Sequence, residues 1–279
     1  MEKRIDLHVH SNCSDGTLSP EELVTYAYEH GLCAFALTDH DTVKGMERAE
    51  KKAREYGIEL IPGIEFSTNY QDRDVHILGL GIDISNHHFT ESLQQFLDSR
   101  DVRNEKMIRA LQSCGIAVSR KQMLEEYPDS VWTRAHFARF LFEHGYAKDI
   151  PDAFERYLGD DAPCFIPREK VTPFQAVQLI HEGGGYAALA HPLLYHMKED
   201  ELDLLVRKLK NSGLDAIEAI YSANRWVDES NMKRLARKYT LNITGGSDYH
   251  GANKPGIEIG VGRGNLSIPY EIWKNLQRT

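Results

Sequence analysis

The stretch Arg4-Ile5-Asp6-Leu7-His8-Val9-His10 alternates apolar and polar side chains, which predicts a β-strand over residues 5–10. His8 and His10 stand two apart and therefore share one face of that strand. Working outward, Ser19-Pro20-Glu21-Glu22 reads as the start of a helix, with a capping box and a proline in its first turn. A second strand is predicted at about 33–38, a helix at about 43–56, and further strands near 59–66 and 74–82. Later strands read at 186–190, 215–220 and 242–246, and Thr172-Pro173 caps a helix between the two groups. Alternating strands and helices predict a parallel α/β fold with seven strands, one fewer than a standard eightfold barrel.

The pattern breaks between residues 99 and 170, where the chain is charged, helical in period and without a convincing strand. We expect an all-helical insertion over 99–170, rejoining the barrel (1–98 and 171–279) near Asp160-Asp161-Ala162-Pro163.

At 279 residues, 41% hydrophobic and 27% charged, the chain can bury one full barrel core and stay soluble. It has no apolar run of the roughly 18 residues needed to span a membrane. No apolar signal region precedes Arg4, so a cytoplasmic location is expected. The four cysteines are widely spaced, form no C-x-x-C pair and are expected as free thiols. A formal net charge of -9 gives no overall attraction for nucleic acid or phosphate. A phosphate substrate would need local positive charge, which bound divalent metals could supply.

Nine candidate ligands recur along the chain: His8, His10, Asp15, His40, Glu65, His76, His191, Asp248 and His250. Most fall at the C-terminal ends of predicted strands, the face where barrel enzymes build their sites. Mixed imidazole and carboxylate donors suit Zn²⁺, Mn²⁺ or Fe²⁺, and nine exceed the needs of one ion, so two or three ions are expected.

These residues resemble the PHP (polymerase and histidinol phosphatase) superfamily. Four motifs carry the resemblance: His8-Val9-His10 with Ser14-Asp15-Gly16, Thr38-Asp39-His40-Asp41, Ala190-His191-Pro192, and Gly246-Ser247-Asp248-Tyr249-His250. The resemblance implies a distorted (β/α)7 TIM-like barrel with a trinuclear site. It places one ion on His8, His10, Glu65 and Asp248, a second on Glu65, His76 and His191, and a third on Asp15, His40 and His250. It further implies phosphate-ester hydrolysis by a metal-bridging hydroxide, with Asp41 as a candidate for proton transfer or helix capping.

In the insertion, Thr133 reads as an N-cap, and Arg134, His136 and the more distant Arg168 are candidates to bind a second phosphate. The segments Thr133–Arg139 and Tyr157-Leu158-Gly159 resemble stand-alone family members acting on nucleotides, implying 3′-dephosphorylation of nucleoside 3′,5′-bisphosphates or 5′-end trimming of short RNA. One departure is Leu193-Leu194-Tyr195, where several relatives carry Gly-Arg-Tyr. The alternatives are a histidinol-phosphate-type phosphomonoesterase, an amidohydrolase-like C–N hydrolase and a non-enzymatic scaffold.

Overall fold

The computed structural model describes residues 3–159, 161–167 and 171–278. Its frame is β1 (Arg4–Val9), α1 (Pro20–Glu29), β2 (Leu32–Leu37), α2 (Met46–Tyr56), β3 (Glu59–Tyr70) and β4 (Arg73–Leu80). There follow α3 (His87–Ser113), α4 (Arg120–Glu126), α5 (Arg134–Glu143) and α6 (Ile150–Ala153), the last continued by a π-turn to Leu158. The chain closes with α7 (Pro173–Glu182), β5 (Tyr186–Leu189), α8 (Glu199–Asn211), β6 (Ala216–Tyr221), α9 (Trp226–Lys238), β7 (Asn242–Gly246), β8 (Ile268–Pro269) and α10 (Glu271–Leu276). Ser19 and Glu22 form the predicted capping box of α1, and Thr172 caps α7.

The seven predicted strands are present and curve into a nearly closed α/β barrel. Strands β7 and β1 meet through a Val9–Tyr249 bridge, where His10 N–H donates to Tyr249 O at 3.0 Å. The eighth, two-residue strand pairs antiparallel with Arg4 and Ile5. The expectation of uniformly parallel strands is corrected at β4, which runs antiparallel to both β3 and β5. Gln71 and Asp72 take positive φ (53° and 60°) and join β3 to β4 in a tight hairpin. Because β4 descends from the mouth, His76 near its start sits opposite Ser67 at the top of the barrel. That orientation reconciles an early-strand ligand with a site at the C-terminal ends of the other strands.

Strand β1 is not regular. Ile5 and Leu7 pack with Ala34, Ala36, Ala188 and Ile220, whereas Val9 packs with Phe35 and Leu37 against α1 and α2. The pairing with β2 slips between Asp6 and Val9, as a bulge requires. The extra residue lets an apolar layer low in the barrel give way to inward histidines at its mouth.

Having left the bottom of the barrel, the chain climbs along α3, a helix of 27 residues and therefore about 40 Å long. Phe89, Leu93 and Phe96 join the barrel's outer core, while Met107, Ile108 and Leu111 join a separate core with Trp132, Phe137, Phe140 and Leu158. A single helix thus runs through residue 99, so the barrel and the helical unit share α3. Among the described residues no helix is long and apolar enough to cross a membrane.

Candidate metal centre

Backbone geometry first brings the donors together. Gly246 lies so close to β1 that a Cβ there would stand 2.2 Å from His8 Cβ, so only glycine lets β7 deliver Asp248 to this position. Asp41, His191 and Asp248 all adopt positive φ (52°, 25° and 57°), a strained state for side chains of this size that recurs at functional sites. Asp6, fully buried between β1 and β7, accepts from the N–H groups of His8 (3.2 Å), Ser247 (2.9 Å) and Gly260 (2.7 Å). Burial raises its carboxyl to about 6 despite those bonds.

Glu65 is the hub. His8, His10 and His40 nitrogens lie 3.2 Å from its Oε2, and His76 and His191 lie 2.9 Å from its Oε1. Asp248 Oδ1 lies 3.5 and 3.4 Å from the Nε2 atoms of His8 and His10. On the other side Asp15 meets His250 at 3.1 Å and His40 at 3.7 Å. Four sets of donors fall within 4.8 Å of one another: His10, Asp15, His40 and His250; His8, Glu65 and His191; His8, His10 and Asp248; and His40, Glu65 and His76. All nine predicted ligands are gathered here. The grouping differs from expectation: there are four sets rather than three, His10 joins Asp15, His40 and His250, Glu65 stands apart from the His8, His10 and Asp248 set, and His191 lies with His8 and His76 with His40 about Glu65.

The donor set fits divalent cations. His8 Nε2, His10 Nε2, His191 Nδ1 and Asp15 Oδ1 are buried without a hydrogen-bond partner. Buried polar atoms are rarely left so, and each costs about 1–3 kcal/mol. Donors bound to one ion at 2.0–2.2 Å stand about 3–3.5 Å apart, as the imidazole and carboxylate atoms do here. Burial opposes ionisation of Glu65, but the rings of His40, His8 and His76 outweigh it and hold the carboxyl well below its usual range.

An outer layer orients these donors, and sequence reasoning missed it. Glu218 Oε1 lies 3.0 Å from His8 Nδ1, and its Oε2 accepts from His191 N–H at 2.7 Å. A proton on Nδ1 leaves the Nε2 lone pair of His8 directed at Glu65 and Asp248. The signal was present, since Glu218 is the lone carboxylate in the apolar run Ala216-Ile217-Glu218-Ala219-Ile220. Tyr221 Oη (2.7 Å) and Lys254 Nζ (2.5 Å) hold Oδ2 of Asp248 and leave Oδ1 facing the histidines. Asp39 accepts from Ser11 N–H and Oγ–H and from Ser14 Oγ–H, fixing the loop that carries Asp15. Tyr195 donates to Ala190 O and accepts from His76 N–H, tying the His191 turn to β4. Glu218→Gln turns one acceptor into a donor facing an N–H, and is expected to weaken Mn²⁺ binding by about 10–100-fold. Unchanged affinity in a metal titration would show that Glu218 does not set the His8 tautomer.

Two expectations are revised by the geometry. Asp41 neither caps α2, whose N-cap is Gly45, nor stands free for proton transfer. Its Oδ2 is engaged by Arg100 Nε at 2.7 Å and by a second guanidinium nitrogen, and its Oδ1 accepts from Ser67 N–H. His136 caps α5 instead of binding anions: its Nδ1 accepts from Thr133 N–H at 3.0 Å, and burial drives the ring to about 4, neutral at ordinary pH. Arg134 does reach the site, lining with His76, His191, Arg73 and Lys254 a cavity of about 330 Å³. Its guanidinium bonds Asp74 at 2.6 Å and lies over the ring of Phe165. Arg168 lies outside the described residues.

A barrel mouth that gathers imidazoles and carboxylates around unpartnered buried nitrogens defines a metal-dependent hydrolase. The PHP domain profile matches residues 6–239. The chain is 38% identical over 90% of its length to a 5′-3′ exoribonuclease of Haemophilus influenzae, covering 91% of that protein. It is 31% identical to a 3′,5′-nucleoside bisphosphate phosphatase of Chromobacterium violaceum, covering 98% of this chain and 96% of the other. Among solved structures, one described as an amidohydrolase from Chromobacterium violaceum, with bound sulfate, superposes with a TM-score of 0.87 at 31% identity, covering 99% and 96% of the two chains. A protein described as a metal-dependent phosphoesterase from Bifidobacterium adolescentis gives 0.86 at 26% identity over the same shares. The chain belongs to the PHP domain family, and is a phosphoesterase of that family.

Proposed function

We propose that this chain hydrolyses phosphate esters of nucleotides, removing the 3′-phosphate of nucleoside 3′,5′-bisphosphates or the 5′-terminal nucleotides of short RNA. The nine histidine and carboxylate donors would hold two or three divalent ions, Mn²⁺, Fe²⁺ or Zn²⁺. Such ions supply charge for the phosphoryl oxygens and make a coordinated water acidic enough to attack near neutral pH.

The observation that carries this reading is a pocket beside the ligands into which Arg134, Arg73 and Lys254 bring positive charge, balanced there by Glu65, Asp74 and Asp248. Arg134, Arg73 and Lys254 share the roughly 330 Å³ cavity with His76 and His191, which is a volume suited to a small ligand. Arg134, whose guanidinium bonds Asp74 at 2.6 Å, would offer a second phosphate its planar fork in exchange for that carboxylate. It comes from α5, so the segment 99–170 would cap substrate over the barrel formed by 1–98 and 171–279.

Phosphate release from adenosine 3′,5′-bisphosphate, nucleoside 5′-monophosphate release from a 5′-phosphorylated short RNA and phosphate release from L-histidinol phosphate, each with Mn²⁺, test the reading. Turnover of the first two is expected to exceed that of the third. Release from histidinol phosphate alone would transfer the assignment to a phosphomonoesterase of that type, and no release from any would sink the proposal. Arg134→Ala is expected to raise KM for the bisphosphate more than for p-nitrophenyl phosphate. Equal effects on both would argue against a second phosphate pocket.

A further inference from the structure

Away from the metal centre, two thiols of the helical unit face each other. Cys114 is the C-cap of α3, and Cys164 lies on the segment returning to the barrel, 50 residues later. Their Sγ atoms stand 3.4 Å apart. Cys114 is exposed, while Cys164 is fully buried in the core formed by Met107, Leu111, Phe137 and Leu158. Both backbones are pinned: Cys114 N–H bonds back into α3, and Cys164 N–H donates to Tyr157 O at 2.9 Å. The other two cysteines lie in the barrel, Cys13 packed under Gly45 and Cys33 donating to Arg4 O.

We propose that Cys114 and Cys164 form a reversible intramolecular disulfide, with Cys114 as the thiol that meets the oxidant. Closing the sulfurs to the ~2.05 Å of a bond asks each to move by less than about 1 Å, within reach of side-chain rotation. With glutathione disulfide, the Cys114 thiolate attacks one sulfur and expels a glutathione thiolate. Cys164 then loses its proton and attacks the Cys114 sulfur, expelling the second glutathione. Two protein thiols are oxidised by two electrons, and one glutathione disulfide is reduced to two glutathiones. Burial pushes the Cys164 thiol up to about 12, so the second step is the slow one.

The bond would join the C-terminal end of α3 to the segment that returns to the barrel. Phe165 and Ile166, the residues following Cys164, line the same pocket as Arg100, Arg103 and Arg134. Oxidation would therefore fix the return segment against the helix that carries Arg100 and Arg103. This inference does not depend on the substrate proposed above.

The native protein, incubated with glutathione disulfide and digested without reductant, is expected to yield a peptide linking Cys114 to Cys164. Two fewer thiols should react with a maleimide probe, while Cys13 and Cys33 remain free. Tm should rise and return to its starting value with dithiothreitol. Cys114→Ser, at an exposed position that should fold, is expected to abolish both the link and the shift. Four free thiols after oxidation, an adduct that stays on Cys114, a link to another cysteine, or dimers joined through Cys114 would each overturn the proposal.

Discussion

Glu65→Gln is expected to cut phosphate release by well over the ~10–100-fold that loss of an outer-layer partner costs, and to lower the number of ions retained. Five imidazoles converge on this carboxylate at 2.9–3.2 Å. An amide keeps the shape, removes the charge that bridges them, and turns one oxygen into a nitrogen that cannot bind a cation. Metal content by mass spectrometry, read beside turnover, separates loss of the site from loss of the fold. Circular dichroism should stay that of the wild type, because the barrel core beneath the hub is built from other residues. A variant that keeps both its ions and its rate would place the chemistry elsewhere.

Arg100→Ala is expected to produce the largest loss of stability among single changes outside the ligand set. Arg100 and Asp41 are 2% and 0% exposed, and the guanidinium also bonds Ser67 Oγ at 2.8 Å and Trp132 O at 3.3 Å. Removing one partner of a buried ion pair typically costs about 3–5 kcal/mol, because the other charge stays desolvated. Ser67 Oγ is 3.3 Å from His40 Nδ1, so the loss should reach the metal centre and reduce its ion content. Asp41→Asn in the Arg100→Ala background should cost less than the two single changes summed. Strict additivity in urea unfolding would show that the pair is not coupled.

Both predictions rest on features with unequal visibility in the sequence. Most of the nine ligand candidates were legible because they fall at the ends of predicted strands beside glycine, proline or another polar residue; His8 and His76 instead stand among apolar neighbours within β1 and β4. The seven strands and the caps of α1, α5 and α7 were legible for similar local reasons. The β1 bulge was not, since Ile5 to His10 alternates with no sign of an extra residue and the slip arises only from pairing with β2. The β3–β4 hairpin was hidden because Gln71-Asp72 lacks the Asn-Gly chemistry that marks such turns. Arg100 and Arg103 fall in the charged, helical stretch that begins near residue 99, and nothing local in the sequence sets them apart from it. Only the fold turns Arg100 inward. His136 misled in the opposite sense: it has the composition of an anion site, but its ring nitrogen is spent on closing α5.

The shared helix has one more consequence. Because α3 is continuous from the barrel's flank to the helical unit, it works as a ruler with a phase. Each residue added or removed between Phe96 and Met107 would raise or lower the upper unit by about 1.5 Å and swing it by about 100°. Length changes in the loops beyond α3 carry no such penalty, so evolutionary variation in this enzyme's upper half should accumulate there, leaving the span of α3 unchanged.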